Sequence, residues 1–125
     1  MATNKIISPY FENGVFAGVR VTLGDEDFVI TPKDYKYGKR MLGWAILYEP
    51  GLSTFNYRQI CLTMAYRDDV NRILVENGGD SLNNKYWTCT KFSTDFLFYY
   101  NGSIGKLDLC NEYDMNIVRP IKNLK

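Results

Sequence analysis

The sequence predicts an α+β fold in which a twisted antiparallel sheet packs against one or two helices. Three observations predict it. Apolar residues alternate over residues 15–23, a single stretch at 67–77 has helical periodicity, and the last third alternates short aromatic segments with Asn, Gly, Ser and Asp turns.

Val15, Ala17, Val19, Val21 and Leu23 alternate with Phe16, Gly18, Arg20 and Thr22, the period of two that marks a strand. Gly24 to Asp27 supplies a turn, and Phe28-Val29-Ile30-Thr31 returns until Pro32 stops it. The two runs predict a hairpin. Residues 33–40 are polar and read as loop. Residues 41–49 fit a helix ended by Pro50-Gly51, although Trp44, Ile46 and Tyr48 also alternate as a strand would. Residues 53–64 give no clear period.

Arg67 to Asn77 carries the clearest helix. Asp68 and Asp69 sit in its first turn, where the helix dipole favours negative charge. Val70, Ile73 and Leu74 fall at i, i+3 and i+4 and form an apolar stripe. Gly78-Gly79 gives the stop. Four short strands follow, at about residues 86–90, 96–101, 105–109 and 117–121. Trp87 and Val118 are expected to join the helix stripe in one core. No domain boundary, low-complexity tract or tandem repeat appears.

Composition narrows the function classes. With 125 residues the chain is one domain on the usual length prior. Fifteen Lys and Arg against fourteen Asp and Glu leave a net charge of +1, which gives no pull toward nucleic acid. The absence of histidine removes the commonest general base, the Ser-His and Cys-His nucleophile pairs, and every His-ligated zinc site. Cys61, Cys89 and Cys110 are three, with no C-x-x-C pair, so a disulfide framework is not expected and a reducing birthplace fits. Free thiols are expected, with Cys89 inaccessible in its strand. The first residues lack the apolar core of a secretory signal, and no apolar stretch approaches the ~20 residues that cross a bilayer.

Single motifs have ordinary explanations. Asp25-Glu26-Asp27 offers oxygens for calcium, but no glycine follows at a calcium-loop spacing, and a solvated turn explains it. Asp68 and Asp69 are neighbours on a helix and do not face each other, so capping explains them better than acid–base chemistry. Asn101-Gly102-Ser103 matches a glycosylation sequon and equally well a turn. Trp87 and Phe98, lying in strands, suit core better than stacking platforms. No catalytic residue, metal ligand or cofactor site is expected.

The closing third also carries a resemblance. Tyr86-Trp87-Thr88-Cys89-Thr90-Lys91-Phe92-Ser93 resembles the Tyr-Trp-Ser-Ser-Thr-Glu-Tyr-Ser signature of a bacterial and phage group with C-type-lectin-like folds. That group includes the proteins varied by diversity-generating retroelements and related domains of gut Bacteroidota. Phe98-Tyr99 matches the group's Trp-Tyr, Gly105-Lys106-Leu107 its Gly-x-Val, and Val118-Arg119-Pro120-Ile121 its Val-Arg-Pro-Val ending. Met64 to Val70 is similar to its Leu-Pro-Thr-Lys-Glu-Glu-Leu helix start, so the resemblance spans about residues 60–121. Cys89 replaces a Ser, Ala65 a Pro and Glu112 a Lys. The calcium–sugar motifs of animal C-type lectins and the cysteine pair of formylglycine-generating enzymes are absent.

The resemblance implies a C-type-lectin-like domain over residues 14–125. Its strands hold a scaffold, and the residues between them form an exposed face. Carried over position by position, that face uses Phe92, Thr94, Asp95, Phe96, Tyr100, Ser103, Lys106, Asp108, Asn111, Tyr113, Asp114 and Asn116. Such Tyr, Ser and Asn mixtures suit adaptable recognition. Tyr100 and Tyr113 are the expected anchors. The implied function is non-enzymatic recognition of a protein or glycan by a phage virion protein of head-fibre or decoration type, made in the host cytoplasm. A structural assembly module whose face is a permanent interface in a virion or bacterial surface complex is the alternative, with the bacterial cytoplasm or surface as the alternative location, and a small bacterial enzyme using Asp/Glu chemistry is a third reading. Residues 1–13, with Ile6, Ile7, Tyr10 and Phe11 exposed and without a core role, are expected to be an arm that joins copies of the chain or docks onto other virion proteins.

Overall fold

The computed structural model describes residues 5–124; the first four residues of the expected arm and Lys125 lie outside the described residues. The fold is α+β, with three helices and antiparallel sheets. One sheet contains β1 (Ile6–Glu12), β2 (Val15–Leu23), β3 (Glu26–Ile30) and β9 (Ile121–Asn123), in the order β1-β2-β3-β9. The expected β2–β3 hairpin is present: Val19 faces Ile30, Val21 faces Phe28, and all four are buried.

The arm reading is corrected over residues 6–12. They form the edge strand of this sheet, in register with β2 from Ile6 opposite Thr22 to Glu12 opposite Val15. Asn13 and Gly14, both at positive φ (52° and 79°), make the two-residue connection. Ile7 packs against the core. Pro9 suits an edge strand, which needs fewer backbone donors than a central one.

The middle of the chain holds the helices. Tyr35–Gly38 is a tight 3-10 turn, then β4 (Met41–Leu42) leads into α1 (Gly43–Ile46), much shorter than the helix expected over 41–49. Residues 53–64, without a clear period in sequence, contain most of α2 (Tyr57–Ala65). A capping box starts it: Asn56 Oδ1 accepts from Gln59 N–H at 2.8 Å, and Gln59 Oε1 accepts from Asn56 N–H at 3.0 Å. The helix expected at 67–77 is α3 (Arg67–Glu76). It ends where Gly79 N–H donates to Leu74 O and Gly78 N–H to Val75 O, a Schellman motif with Gly78 at φ 86°.

The second sheet contains β5 (Lys85–Lys91), β6 (Phe96–Asn101) and β7 (Lys106–Asn111), in that order and antiparallel. β8 (Met115–Asn116) pairs with β4. The strand expected at 117–121 does not form as such. Ile117 makes one parallel bridge to Tyr86, and pairing as a strand resumes only at Ile121. Between them, the carbonyls of Val118 and Pro120 accept from the N–H groups of Tyr35 and Thr31, and Pro120 has no N–H to offer a ladder.

Two cores sandwich the second sheet. The larger joins Val19, Val21, Phe28 and Ile30 to Phe55, Ile60 and the α3 stripe, and reaches Tyr86 and Tyr100. The smaller lies on the other face, where Trp87 and Leu97 meet Ile46 and Val118. All five residues expected in one core are therefore buried, but Trp87 and Val118 are separated from Val70, Ile73 and Leu74. Strand alternation decides this, because Trp87 follows Tyr86 and points the opposite way.

Candidate functional site

The register of the second sheet sorts the expected site residues. Tyr100 is opposite Tyr86 and Leu107, Phe98 opposite Leu109, and Phe96 opposite Asn111, all on one face. Tyr99 is opposite Trp87 and Asp108, Leu97 opposite Cys110, and Asn101 opposite Lys85 and Lys106, all on the other. The expected face is therefore split between two sides. The sequence reading treated strand and turn residues as one surface, whereas the pleat sends consecutive strand residues in opposite directions.

On the first face the aromatic row runs out of the core into solvent. Tyr100 is fully buried, which removes it as a surface anchor. It lies under the larger core because the row begins beneath α2 and α3. Phe98 is half-buried, and Phe96 is exposed. Phe92, in the β5–β6 turn, sets its ring edge-on to Phe98 at 5.8 Å. Tyr57, the first residue of α2, sets its ring 4.9 Å from that of Phe98. Tyr57, Phe92 and Phe96 remain 45 %, 63 % and 40 % exposed. Tyr57 and Phe92 both touch Phe98, and Phe96 is its neighbour on the same face of β6, so the exposed rings form one apolar patch.

The turn that presents Phe92 is braced. Phe92 N–H donates to Phe96 O at 2.9 Å, and Glu112 N–H donates to Asp95 O at 2.8 Å. Lys91 Nζ reaches both Thr94 O and Glu112 Oε2 at 3.1 Å. Tyr57 N–H donates to Thr90 Oγ1 at 2.9 Å, which fixes α2 against β5. Thr94 and Asp95 are exposed at this tip, and Asn111 lies across from Phe96. Of the expected residues, Phe92, Thr94, Asp95, Phe96 and Asn111 thus belong together.

The remaining ones sit elsewhere. Lys106 and Asp108 are on the opposite face of β7. Tyr113, 67 % exposed, tops the β7–β8 turn, where its N–H donates to Asn111 Oδ1 at 2.9 Å. Asp114 turns back and accepts from Asn111 N–H at 3.2 Å and from the Cys110 thiol at 3.3 Å. Burial pushes the Cys110 thiol up, Asp114 adds to the rise, and the Asn116 amide opposes it. Asn116 is buried, contrary to its expected place on the surface, because its strand is clamped against β4. Ser103 and Asn116 line a polar pocket at the other end of the sheet.

The Asn101-Gly102-Ser103 sequon is a turn in which Asn101 Oδ1 accepts from Ser103 N–H at 3.2 Å and from its hydroxyl at 2.7 Å. A side chain at Gly102 would run into the carbonyl of Leu82. Cys61, Cys89 and Cys110 are free. Cys89 is exposed, which corrects the expectation that its strand hides it: a register shift between Trp87 and Lys91 breaks the alternation there. Sequence reasoning missed Tyr57, whose segment showed no period, and preferred core to a stacking role for Phe98, which is half-buried.

Among the described residues, no group of three or more His, Cys, Asp or Glu stands together as a metal site, and no helix is long and apolar enough to cross a membrane. The fold and site define an α+β domain with a braced, solvent-facing aromatic patch at one end of its second sheet. Comparison with models of known protein families gives no match, and comparison with curated proteins gives none either.

Proposed function

We propose that this chain is a C-type-lectin-like binding domain that recognises a protein or glycan without transforming it, as a head-fibre or decoration-type protein on a phage virion. The observation that carries the reading is the patch of Tyr57, Phe92, Phe96 and Phe98, held on rigid elements and open to solvent. Aromatic anchors on a fixed scaffold usually dominate the energy of recognition.

Two further features support the C-type-lectin-like reading. Lys91 stands where the resembled signature has Glu, and Glu112 where Lys is usual. The two meet at 3.1 Å, so the departures form one ion pair with its charges exchanged. Arg119 of the Val-Arg-Pro-Ile ending is fully buried and ties three segments together, which gives that motif a structural duty.

The test is co-sedimentation of the purified chain with bacterial envelopes, alongside a Phe92→Ala/Phe96→Ala variant. The variant should fold with an unchanged melting temperature and lose at least about 90 % of its sedimentation, since a hot-spot loss of ~2 kcal/mol is more than tenfold. Undiminished sedimentation of the variant sinks the reading.

The assembly alternative is favoured by the β1–β2 hairpin tip. Phe11 and Val15 are 52 % and 68 % exposed there, and Phe11 meets Phe16 at 5.9 Å. If this tip joins copies of the chain or docks onto other virion proteins, Phe11→Ser/Val15→Ser should turn a sedimenting oligomer into a monomer. A native chain that is already monomeric, and stays off assembled virions, removes this reading.

A further inference from the structure

We propose that the polar pocket at the far end of the second sheet binds one acidic sugar unit, a uronate or sialate. The pocket encloses about 370 Å³, within the ~300–1,000 Å³ of small-ligand sites. It lies at the Lys85–Asn101 end of the β5–β6 pair, whereas Phe92 projects from the turn at the opposite end.

Its lining has one sign of charge. Arg40 and Lys85 supply two cations, and no lining residue is acidic. Among the described residues neither cation has an ion pair or a side-chain hydrogen bond. Lys106 adds a third cation beside them, because Lys85, Asn101 and Lys106 are direct cross-strand partners in one row. Carboxylates of neighbouring segments are engaged, and Asp108, two residues from Lys106 on the same face of β7, accepts from Leu109 N–H at 2.8 Å. Asp34 accepts from Arg119 at 2.9 Å and from Asn84 at 3.4 Å, and Asp114 accepts from Cys110 and Asn111.

Asparagine amides supply the rest. Asn83, Asn84, Asn101 and Asn116 all line the pocket. Asn116 is 6 % exposed, and its amide nitrogen donates to Cys110 Sγ at 3.6 Å, a weak acceptor. Asn101 commits its oxygen to the Ser103 turn, so its nitrogen is left to donate. An amide donates and accepts, and so does each hydroxyl that a sugar ring spreads beside its carboxylate, whereas inorganic phosphate carries its oxygens and its few protons on a single centre and cannot reach amides set around the pocket. Two unpaired cations match a carboxylate, the amides match neighbouring hydroxyls, and Ile117 offers the ring an apolar contact. This inference does not depend on the aromatic patch and adds a second site to the domain.

The experiment is a titration of the full chain with glucuronate and N-acetylneuraminate, followed by amide NMR and calorimetry, with glucose and inorganic phosphate as comparison probes. At least one acidic sugar should saturate the pocket with roughly millimolar affinity and shift the side-chain amide signals of Asn83, Asn101 and Asn116. Glucose and phosphate should each bind at least roughly tenfold more weakly. Arg40→Gln/Lys85→Gln should keep the melting temperature, since both side chains are exposed, and lose roughly tenfold in affinity. Phe92→Ala should leave the titration unchanged, so failure of the envelope assay and failure here are separable. No saturable binding, equal binding of phosphate, or full affinity in the Arg40→Gln/Lys85→Gln variant would each overturn the assignment.

Discussion

Arg119 Nε donates to Asp34 Oδ1 at 2.9 Å across 85 residues of sequence. The guanidinium is completely buried, and the Asp34 side chain is 13 % exposed. Its Nη1 and Nη2 groups reach Thr31 O, Asp80 O and Ser81 O at 3.0 to 3.4 Å, and its Cζ lies 5.7 Å from the centre of the Tyr86 ring. One side chain therefore pins the end of the β2–β3 hairpin, the loop after α3 and the start of β5. Arg119→Ala should destabilise the domain by about 3–5 kcal/mol, the usual effect of breaking a buried ion pair. Arg119→Lys should recover little of it, because an ammonium cannot present the same planar fork. Urea denaturation of both variants checks this; a lysine variant as stable as the native chain refutes the fork geometry.

Trp87 anchors the smaller core. It is fully buried, and Nε1 donates to Met41 O at 2.6 Å. Gly43 packs on its ring so closely that an added Cβ would lie 2.8 Å from it. Trp87→Ala should cost about 3–5 kcal/mol, as other large-to-small core changes do. Gly43→Ala should destabilise by about 1–3 kcal/mol through overpacking. Thermal melts of the two variants measure both, and an unchanged melt for Gly43→Ala would show that the Trp87 ring yields.

Local signals decided how much of this was legible. Period two found β2, a preceding turn and a following proline bounded β3, short aromatic runs between turn residues found β5, β6 and β7, and period 3.6 with its glycine stop found α3. Two local signatures were present but passed over. Asn13-Gly14 is a hairpin turn, and it makes Ile6 to Glu12 the partner of β2. Asn56-Tyr57-Arg58-Gln59 is a capping box, and it opens α2. The partition of the site was not legible in the same way. Whether Tyr100 is buried depends on what covers its end of β6, and that is set by α2 and α3. Arg40, Asn83 and Asn116 lie far apart in sequence and meet only because β4 pairs with β8 and β8 leads on to the β5 edge.

Thiol reactivity follows from placement. Cys89 is exposed, whereas Cys61 and Cys110 are half-buried. Cys110 has its thiol pKa raised by burial and by Asp114, so it holds less of the reactive thiolate at neutral pH. One thiol should label fast in the native chain and three in the denatured, non-reduced chain. Cys89→Ser should remove the fast phase. A fast phase that survives this substitution would place the accessible sulfur elsewhere.

Alkaline stability should be limited by two buried tyrosines. Burial raises the phenols of Tyr86 and Tyr100 above their ordinary 10.0, with Arg119 and Arg67 respectively pulling the other way. The sign follows from proton counting. Below the ordinary value both folded and unfolded chains hold neutral phenols, and the stability is fully present. As pH rises through it, the unfolded chain releases protons that the folded chain retains, so stability falls until the folded values are passed. The melting temperature should therefore drop progressively above about pH 10. Tyr100 Oη makes no hydrogen bond of good geometry among the described residues, and the Arg67 guanidinium that pulls on it has its own Nε unmatched, so Tyr100→Phe removes a poorly satisfied group as well as a titrating one. That variant should match or exceed native stability at pH 7 and lose less on passing to pH about 11. A variant that is clearly weaker at neutral pH would show that the hydroxyl is paired in solution, and an equal alkaline loss would move the titration to other groups.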